Sequence, residues 1–159
     1  MKTNYLFPNR FKKVGWMLLI PSAILGIFVL FFDFEFTFLD GKIYTLYTGD
    51  FLGEEGGFFK SFNGNYTKTI VGLIFLSGAV LVAFSKEKYE DEFVSKIRLE
   101  SLVWAIYINY LVLAICFLLF YDLDFLMVMI LNMFTILIFF IVRFYYSLYQ
   151  TKKQLGYEK

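Results

Sequence analysis

SLVWAIYINYLVLAICFLLFY, residues Ser101–Tyr121, runs 21 residues without a charge. FLMVMILNMFTILIFFIV, Phe125–Val142, runs another 18 after a break of only Asp122-Leu123-Asp124. As helices rising ~1.5 Å per residue they are about 27–32 Å long, close to the ~30 Å hydrocarbon core of a bilayer. The short break makes them an antiparallel helical hairpin. Working outward, Val14–Phe32 (19 residues) and Thr69–Ser85 (17 residues) are equally free of charge. The four stretches hold 75 of 159 residues in a chain that is 59% hydrophobic and 18% charged, with a mean hydropathy of +0.64. Soluble domains run nearer about 45–50% apolar and about 25% charged. So much apolar helix leaves too little polar surface to cover a water-soluble core. The expected fold class is all-α and membrane-embedded. It is a single integral domain over residues 1–159, an antiparallel four-transmembrane-helix bundle with spans at about 14–32, 69–85, 101–121 and 125–142.

The first stretch follows Lys12 and Lys13, as a signal peptide would. It is longer than a usual apolar signal region, and Asp33-Phe34-Glu35 offers no small-residue cleavage site, so it reads as a retained span. Pro21 inside it is expected to bend or locally open the helix near Met17. Basic residues set the orientation. Twelve fall before the first span, between spans two and three, or after span four, whereas Lys42, Lys60 and Lys68 are the three on the other side. Both termini are therefore expected in the cytoplasm, for a multi-pass protein of the inner (cytoplasmic) membrane. With acids counted, the formal net charge of +1 divides into about +6 inside and −5 outside. Trp16 and Trp104 fall near the cytoplasmic ends of their spans, where indole rings favour the headgroup layer.

The outward segment, residues 33–68, alternates Phe34, Phe36 and Phe38 with polar residues and reaches Asp40-Gly41 before Lys42–Thr48. Asp-Gly between alternating apolar residues is a strong hairpin signal, so a β-hairpin turning at Asp40-Gly41 is expected. The glycine-broken, aromatic Gly49–Asn65 reads as an irregular or re-entrant loop. The segment as a whole reads first as an amphipathic lid at the interface and second as a sensor of a ligand or partner. Asn65-Tyr66-Thr67 matches a glycosylation acceptor, a weak signal that requires a secretory route.

Residues 86–100 carry charges at i,i+4 (Lys88–Glu92, Glu92–Lys96, Lys96–Glu100), each pair contributing about 0.2–0.5 kcal/mol toward helix. The reading is a cytoplasmic extension of span three. It is either a solvated helix start or a docking surface for a cytoplasmic partner, with Glu90, Asp91 and Glu92 as an acidic knob and Lys96 and Arg98 as a basic flank. The tail, residues 143–159, sets aromatics at the boundary before Lys152 and Lys153, which suits an anchor on anionic headgroups.

The chain has no histidine and one cysteine, Cys116. Disulfide frameworks, His/Cys metal sites and imidazole-based catalysis are excluded. No Asp, Glu, Lys or Arg lies within the four stretches, which argues against proton-coupled antiporters, pumps and small multidrug exporters. Cys116, deep in an apolar span, reads as an inert thiol. The polar candidates within the spans are Asn109, Asn132 and Thr135. Folding the hairpin about Leu123 puts Asn109 level with Thr135–Leu137 and Asn132 level with Ala114, so an interhelical hydrogen bond is expected. Ser22/Gly26 and Ala79/Ala83 are small-residue pairs that permit close helix approach. No cofactor and no metal are expected. Asp33, Glu35, Asp122 and Asp124 are weak candidates for a hard cation such as Ca²⁺ or Mg²⁺.

The runs Phe84-Ser85-Lys86-Glu87-Lys88, Glu90-Asp91-Glu92-Phe93 and Lys96-Ile97-Arg98-Leu99-Glu100-Ser101-Leu102, together with Asn132–Phe140, resemble a group of small bacterial four-span membrane proteins with no assigned activity. Its members resemble proteins encoded beside small helix-turn-helix regulators, so the resemblance implies a cytoplasmic regulator protein as partner and carries over no site residues. The expected function is non-enzymatic: a signalling or regulatory membrane protein that binds its partner through residues 86–100. The alternative is an oligomeric pore or small permeation protein. Expected partners are the lipid bilayer, the regulator protein and further copies of the chain, with no direct nucleic acid.

Overall fold

The computed structural model describes residues 6–48, 57–88 and 90–157. In chain order it contains α1 (Asn9–Phe32), a 3-10 turn (Thr37–Leu39), β1 (Asp40–Thr48), β2 (Gly57–Asn65), α2 (Thr67–Ala83), α3 (Glu92–Leu119) and α4 (Asp122–Tyr157). The expected spans are helical, except that the second and third lose their last two residues, as α2 ends at Ala83 and α3 at Leu119. Helices α1, α3 and α4 are long and apolar enough to cross a membrane, and α2, at 17 residues, is a shorter apolar helix. Their most apolar windows are only 22%, 11% and 11% buried, so most of the apolar side chains face outward. That is the reverse of a soluble bundle, in which the apolar face is the buried one.

The chain groups into two compact units. The first joins Leu76–Lys159 to the described part of Met1–Met17, and the second is Leu18–Phe75. In the first unit, α3 and α4 pack along each other. The buried stripe of α3 is Ile97, Arg98, Ser101, Ala105 and Asn109, residues that recur at helical spacing and are mostly small or polar. Bulky Phe140, Ile141, Phe144 and Leu148 are the buried residues among those described in α4. Phe84, Phe140 and Phe144 form a stack with centroids 5.8 and 6.0 Å apart. Small-against-large packing of this kind lets the two helices approach closely. A Cβ on Gly15 would lie 2.9 Å from the backbone nitrogen of Val82, so α1 and α2 meet backbone to backbone there. Ala79 and Ala83 on the same stretch of α2 are fully buried.

In the second unit Leu19, Ser22, Val29, Thr67 and Val71 are buried. Helix α1 runs through Pro21 without interruption, and the Ser22 hydroxyl donates to the Leu18 and Leu19 carbonyls at 2.7 and 3.1 Å. Asp33, at φ 45°, ends α1 in the left-handed conformation that closes many helices.

The hairpin differs from the sequence expectation. Asp40 is extended (φ −71°, ψ 130°) and opens β1, which pairs antiparallel with β2 from Asp40↔Asn65 to Thr48↔Gly57. The connection is residues 49–56, outside the described part, and the stretch expected to be irregular supplies β2. Local Asp-Gly turn preference loses here to contacts made at long range. Asn65 donates to the Phe36 carbonyl and the Asp40 carboxylate at 2.8 and 2.6 Å, and Tyr66 donates to the Lys42 carbonyl at 2.6 Å. The Asn65 side-chain Oδ1 accepts from the Thr67 N–H at 2.7 Å. The asparagine of the glycosylation motif thus braces the start of β1 and the start of α2.

The extension of α3 also starts later than residue 86. Asp91 is extended and its carboxylate accepts from the Val94 N–H at 2.8 Å, an N-cap that satisfies an otherwise orphaned donor. The helical part is therefore Glu92–Glu100, and Lys88 precedes it. Helix α4 does not stop at Val142 but continues to Tyr157.

Candidate functional site

The densest polar constellation lies in the first unit, around the connector of residues 84–91. Arg98, one turn and a half into α3, is 8% exposed. One of its terminal nitrogens donates to both carboxylate oxygens of Glu90 at 2.9 and 3.0 Å. The other donates to the carbonyls of Ala83 and Ser85 at 3.1 and 3.2 Å. These carbonyls lie at the C-terminal end of α2, where the helix leaves acceptors unpaired and its dipole favours a cation. The guanidinium also stacks 4.6 Å from the Phe144 ring centroid, and its Nε has no hydrogen-bond partner. A Lys at this position could not supply the same planar fork.

A second pair closes the same connector. The Lys12 ammonium donates to both oxygens of Glu87 at 2.6 and 2.8 Å and lies 4.7 Å from the Tyr145 ring centroid, while Trp16 packs on Tyr145 at 5.6 Å. The Glu87 N–H donates to Glu90, which links the two pairs. The segment before α1 adds a strap: Phe7 N–H to Phe84 O and Lys86 N–H to Phe7 O, both 2.9 Å, and the Asn9 amide to Lys86 O at 2.6 Å. Taken together these bonds form a clasp that fixes the connector and so fixes where α3 begins.

The five residues of the expected docking surface therefore divide. Glu90 and Arg98 point into the clasp and bond each other, Asp91 caps the helix, and Glu92 and Lys96 are exposed. Lys96 pairs with Glu100 at 3.9 Å. Glu92, Phe93, Lys96, Leu99 and Glu100 share one exposed helical face, opposite the buried Ile97, Arg98 and Ser101. The residues that sequence reading missed are Lys12 and Glu87, which lie 75 apart in sequence. Glu90 and Arg98 are only eight apart, yet the turn between them breaks helical spacing.

Asn109, Asn132 and Thr135 come together between α3 and α4. Asn109 and Asn132 exchange amide hydrogen bonds at 3.1 and 3.3 Å, and the Thr135 hydroxyl donates to Asn109 Oδ1 at 2.8 Å. Asn132 reaches Asn109 from the facing helix, whereas the hairpin count put it level with Ala114. With Asn109 3% exposed, the cluster satisfies itself inside the helix pair.

In the second unit Asp33 and Glu35 are ion-paired to Lys68 at 3.2 and 3.4 Å. Hydrogen bonding to Asp33 first, and to Glu35 next, raises the Lys68 pKa above its ordinary value. Asp124 is exposed, and the side chain of Asp122 lies outside the described residues. Among the described residues no three acidic or cysteine side chains converge as metal ligands would. No family model matches the chain, and comparison with curated proteins and with solved structures likewise finds no match.

Proposed function

We propose that this chain is a non-enzymatic membrane protein of the bacterial inner membrane, with four antiparallel spans and both termini cytoplasmic, that presents the start of α3 to a cytoplasmic regulator protein. The observation that carries the reading is a mismatch of lengths. Helix α3 has 28 residues, about 42 Å, against a hydrocarbon core of ~30 Å. Its surplus is the charged Glu92–Glu100 end. There the exposed face mixes Glu92, Lys96 and Glu100 with the apolar Phe93 and Leu99, 51% and 63% exposed. Apolar anchors ringed by charges are what a specific protein interface needs.

The clasp supplies a mechanism. While Glu87 and Glu90 are held, α3 starts at a fixed Asp91 cap and its exposed face is presented rigidly. A cue from the opposite side or from the lipid that shifts the helices would open the clasp and re-aim that face, a two-state device with docking favoured in one state. The resemblance to proteins encoded beside helix-turn-helix regulators agrees with a regulator as partner. The oligomeric-pore reading loses support because Asn109 is buried and bonded within one helix pair and offers no lumen a polar group.

The test is reciprocal co-purification from the native host, comparing the wild type with Glu92→Lys/Lys96→Glu/Glu100→Lys. Exposed substitutions of this kind shift stability by only about ±0.5 kcal/mol each, so the variant stays folded. Loss of one specific cytoplasmic protein is expected. Recovery of the same proteins by both forms would sink the docking reading.

A further inference from the structure

Arg143, half-buried, differs from the two cations of the clasp. Lys12 and Arg98 each hold a carboxylate. Arg143 instead stacks on an indole, its guanidinium 5.2 Å from the Trp104 ring centroid, and among the described residues that ring is its only partner. Arg143 is the first charge after the apolar stretch of α4, and Trp104 lies four residues past Glu100, the last charge before that of α3. On the proposed membrane reading, on which this inference rests, both sit at the level of the lipid headgroups, where Trp and Arg are at home.

Further along the same face of α4 the chemistry changes in order. Tyr146, Tyr149, Gln150 and Lys153 border a shallow, open depression on the exposed face of α4. The Gln150 amide donates to the Tyr146 hydroxyl at 2.6 Å, which leaves the phenolic proton free to donate outward. Passing from the span into water, a molecule lying along this face meets apolar Val142 and Trp104, then a guanidinium, then a phenol and an amide, then an ammonium. A glycerophospholipid presents its parts in that sequence: acyl chain, phosphate, hydroxylated headgroup.

We propose that Arg143, held on Trp104, together with the Tyr146–Gln150 pair, seats the phosphate and hydroxylated headgroup of an anionic glycerophospholipid from the adjoining leaflet. Charge complementarity selects an anionic lipid. Arg143 needs an anion, and a choline or ethanolamine headgroup would bring its own cation toward Lys153. Stacking on Trp104 holds the guanidinium in place before the phosphate arrives, so less freedom is lost on binding.

The full-length protein in detergent, titrated with phosphatidylglycerol, phosphatidylcholine or inorganic phosphate, tests this by native mass spectrometry and thermal unfolding. Phosphatidylglycerol is expected to remain bound and to raise the unfolding midpoint. Arg143→Gln should weaken its binding about tenfold, the worth of one charge-assisted hydrogen bond, with smaller losses for Arg143→Lys and Tyr146→Phe. Equal retention of phosphatidylcholine, or undiminished phosphatidylglycerol binding by Arg143→Gln, would overturn the proposal. So would inorganic phosphate that stabilises as well as the lipid does, since the seat would then read a free anion. Alkaline carbonate extraction of the cell membranes, before detergent is added, separates the premises. Wild type and Arg143→Gln should both stay with the membrane, and release of the wild type would overturn the membrane reading along with this one.

Discussion

Each compact unit has a glycine of α1 facing α2 and a lysine ion pair bracing a loop, but within each unit the helix approach and the exposure of the pair differ. In the first, a Cβ on Gly15 would sit 2.9 Å from Val82 N, and the side chains of Lys12 and Glu87 are 21% and 14% exposed. In the second, a Cβ on Gly26 would meet only the Val71 methyl at 4.0 Å, and those of Lys68 and Asp33 are 56% and 85% exposed. A glycine and a lysine–carboxylate pair therefore carry different weight in the two units. An exposed ion pair contributes at most about 1 kcal/mol, while breaking a buried one strands a charge. The clasp unit is the one built to hold a single geometry, and that geometry fixes the start of α3.

Removing Arg98 is the strongest way to break this contrast. Arg98→Gln leaves Glu90 half-buried without its cation and the Ala83 and Ser85 carbonyls without donors. A loss of about 3–5 kcal/mol is expected in chemical unfolding in detergent. Replacing both partners, Arg98→Leu with Glu90→Leu, should recover part of the loss by removing the stranded charge. It should not recover all of it, because the Ala83 and Ser85 carbonyls still lack the arginine's donors. The glycines give a contrast of sign. Gly15→Ala forces a backbone shift and should cost about 1–3 kcal/mol. Gly26→Ala meets ordinary contact and should be neutral, or gain up to about 1 kcal/mol from helix propensity. Equal effects at the two positions would show that the units are equally tight.

Much of the framework was legible in the sequence because a long charge-free run marks an apolar helix directly. The same holds for the Asn109–Thr135 bond, since a three-residue break fixes the register of a helical hairpin. What stayed illegible depended on partners remote in sequence. Lys12 and Glu87 read as two surface charges until α1 and the connector meet. Arg98 read as the flank of an exposed ridge because the Asp91 cap, which starts the helix late and turns Glu90 inward, is itself a competing local motif. Asp40-Gly41 carries a genuine turn signal, but Asn65 and Tyr66 hold that segment extended against β2. Gly15 looked like any helical glycine, as close approach leaves no mark beyond a missing side chain.

Two weaker effects sharpen the comparison at its ends. Asn109→Leu removes a buried but neutral contact and should cost about 0.6–2 kcal/mol, below the Arg98 loss, with a double-mutant cycle against Thr135→Val showing non-zero coupling. Additivity would mean that the hydroxyl bonds elsewhere. The smallest effect belongs to Lys68, whose pKa is raised by Asp33 and Glu35. A raised pKa means the folded state holds the proton more tightly than the unfolded one. The stabilisation is thus complete below the ordinary lysine value of about 10.4 and fades as pH rises through the raised value. Lys68→Met should accordingly be slightly less stable than the wild type near neutral pH, with the two unfolding midpoints converging as pH climbs above about 10.4. Because the pair is open to solvent, added salt should shrink the gap at neutral pH as well, whereas the Arg98–Glu90 pair, shielded from water, should hardly respond. A gap at Lys68 that ignores both pH and salt would mean that its apolar stem, and not its charge, braces the end of α1.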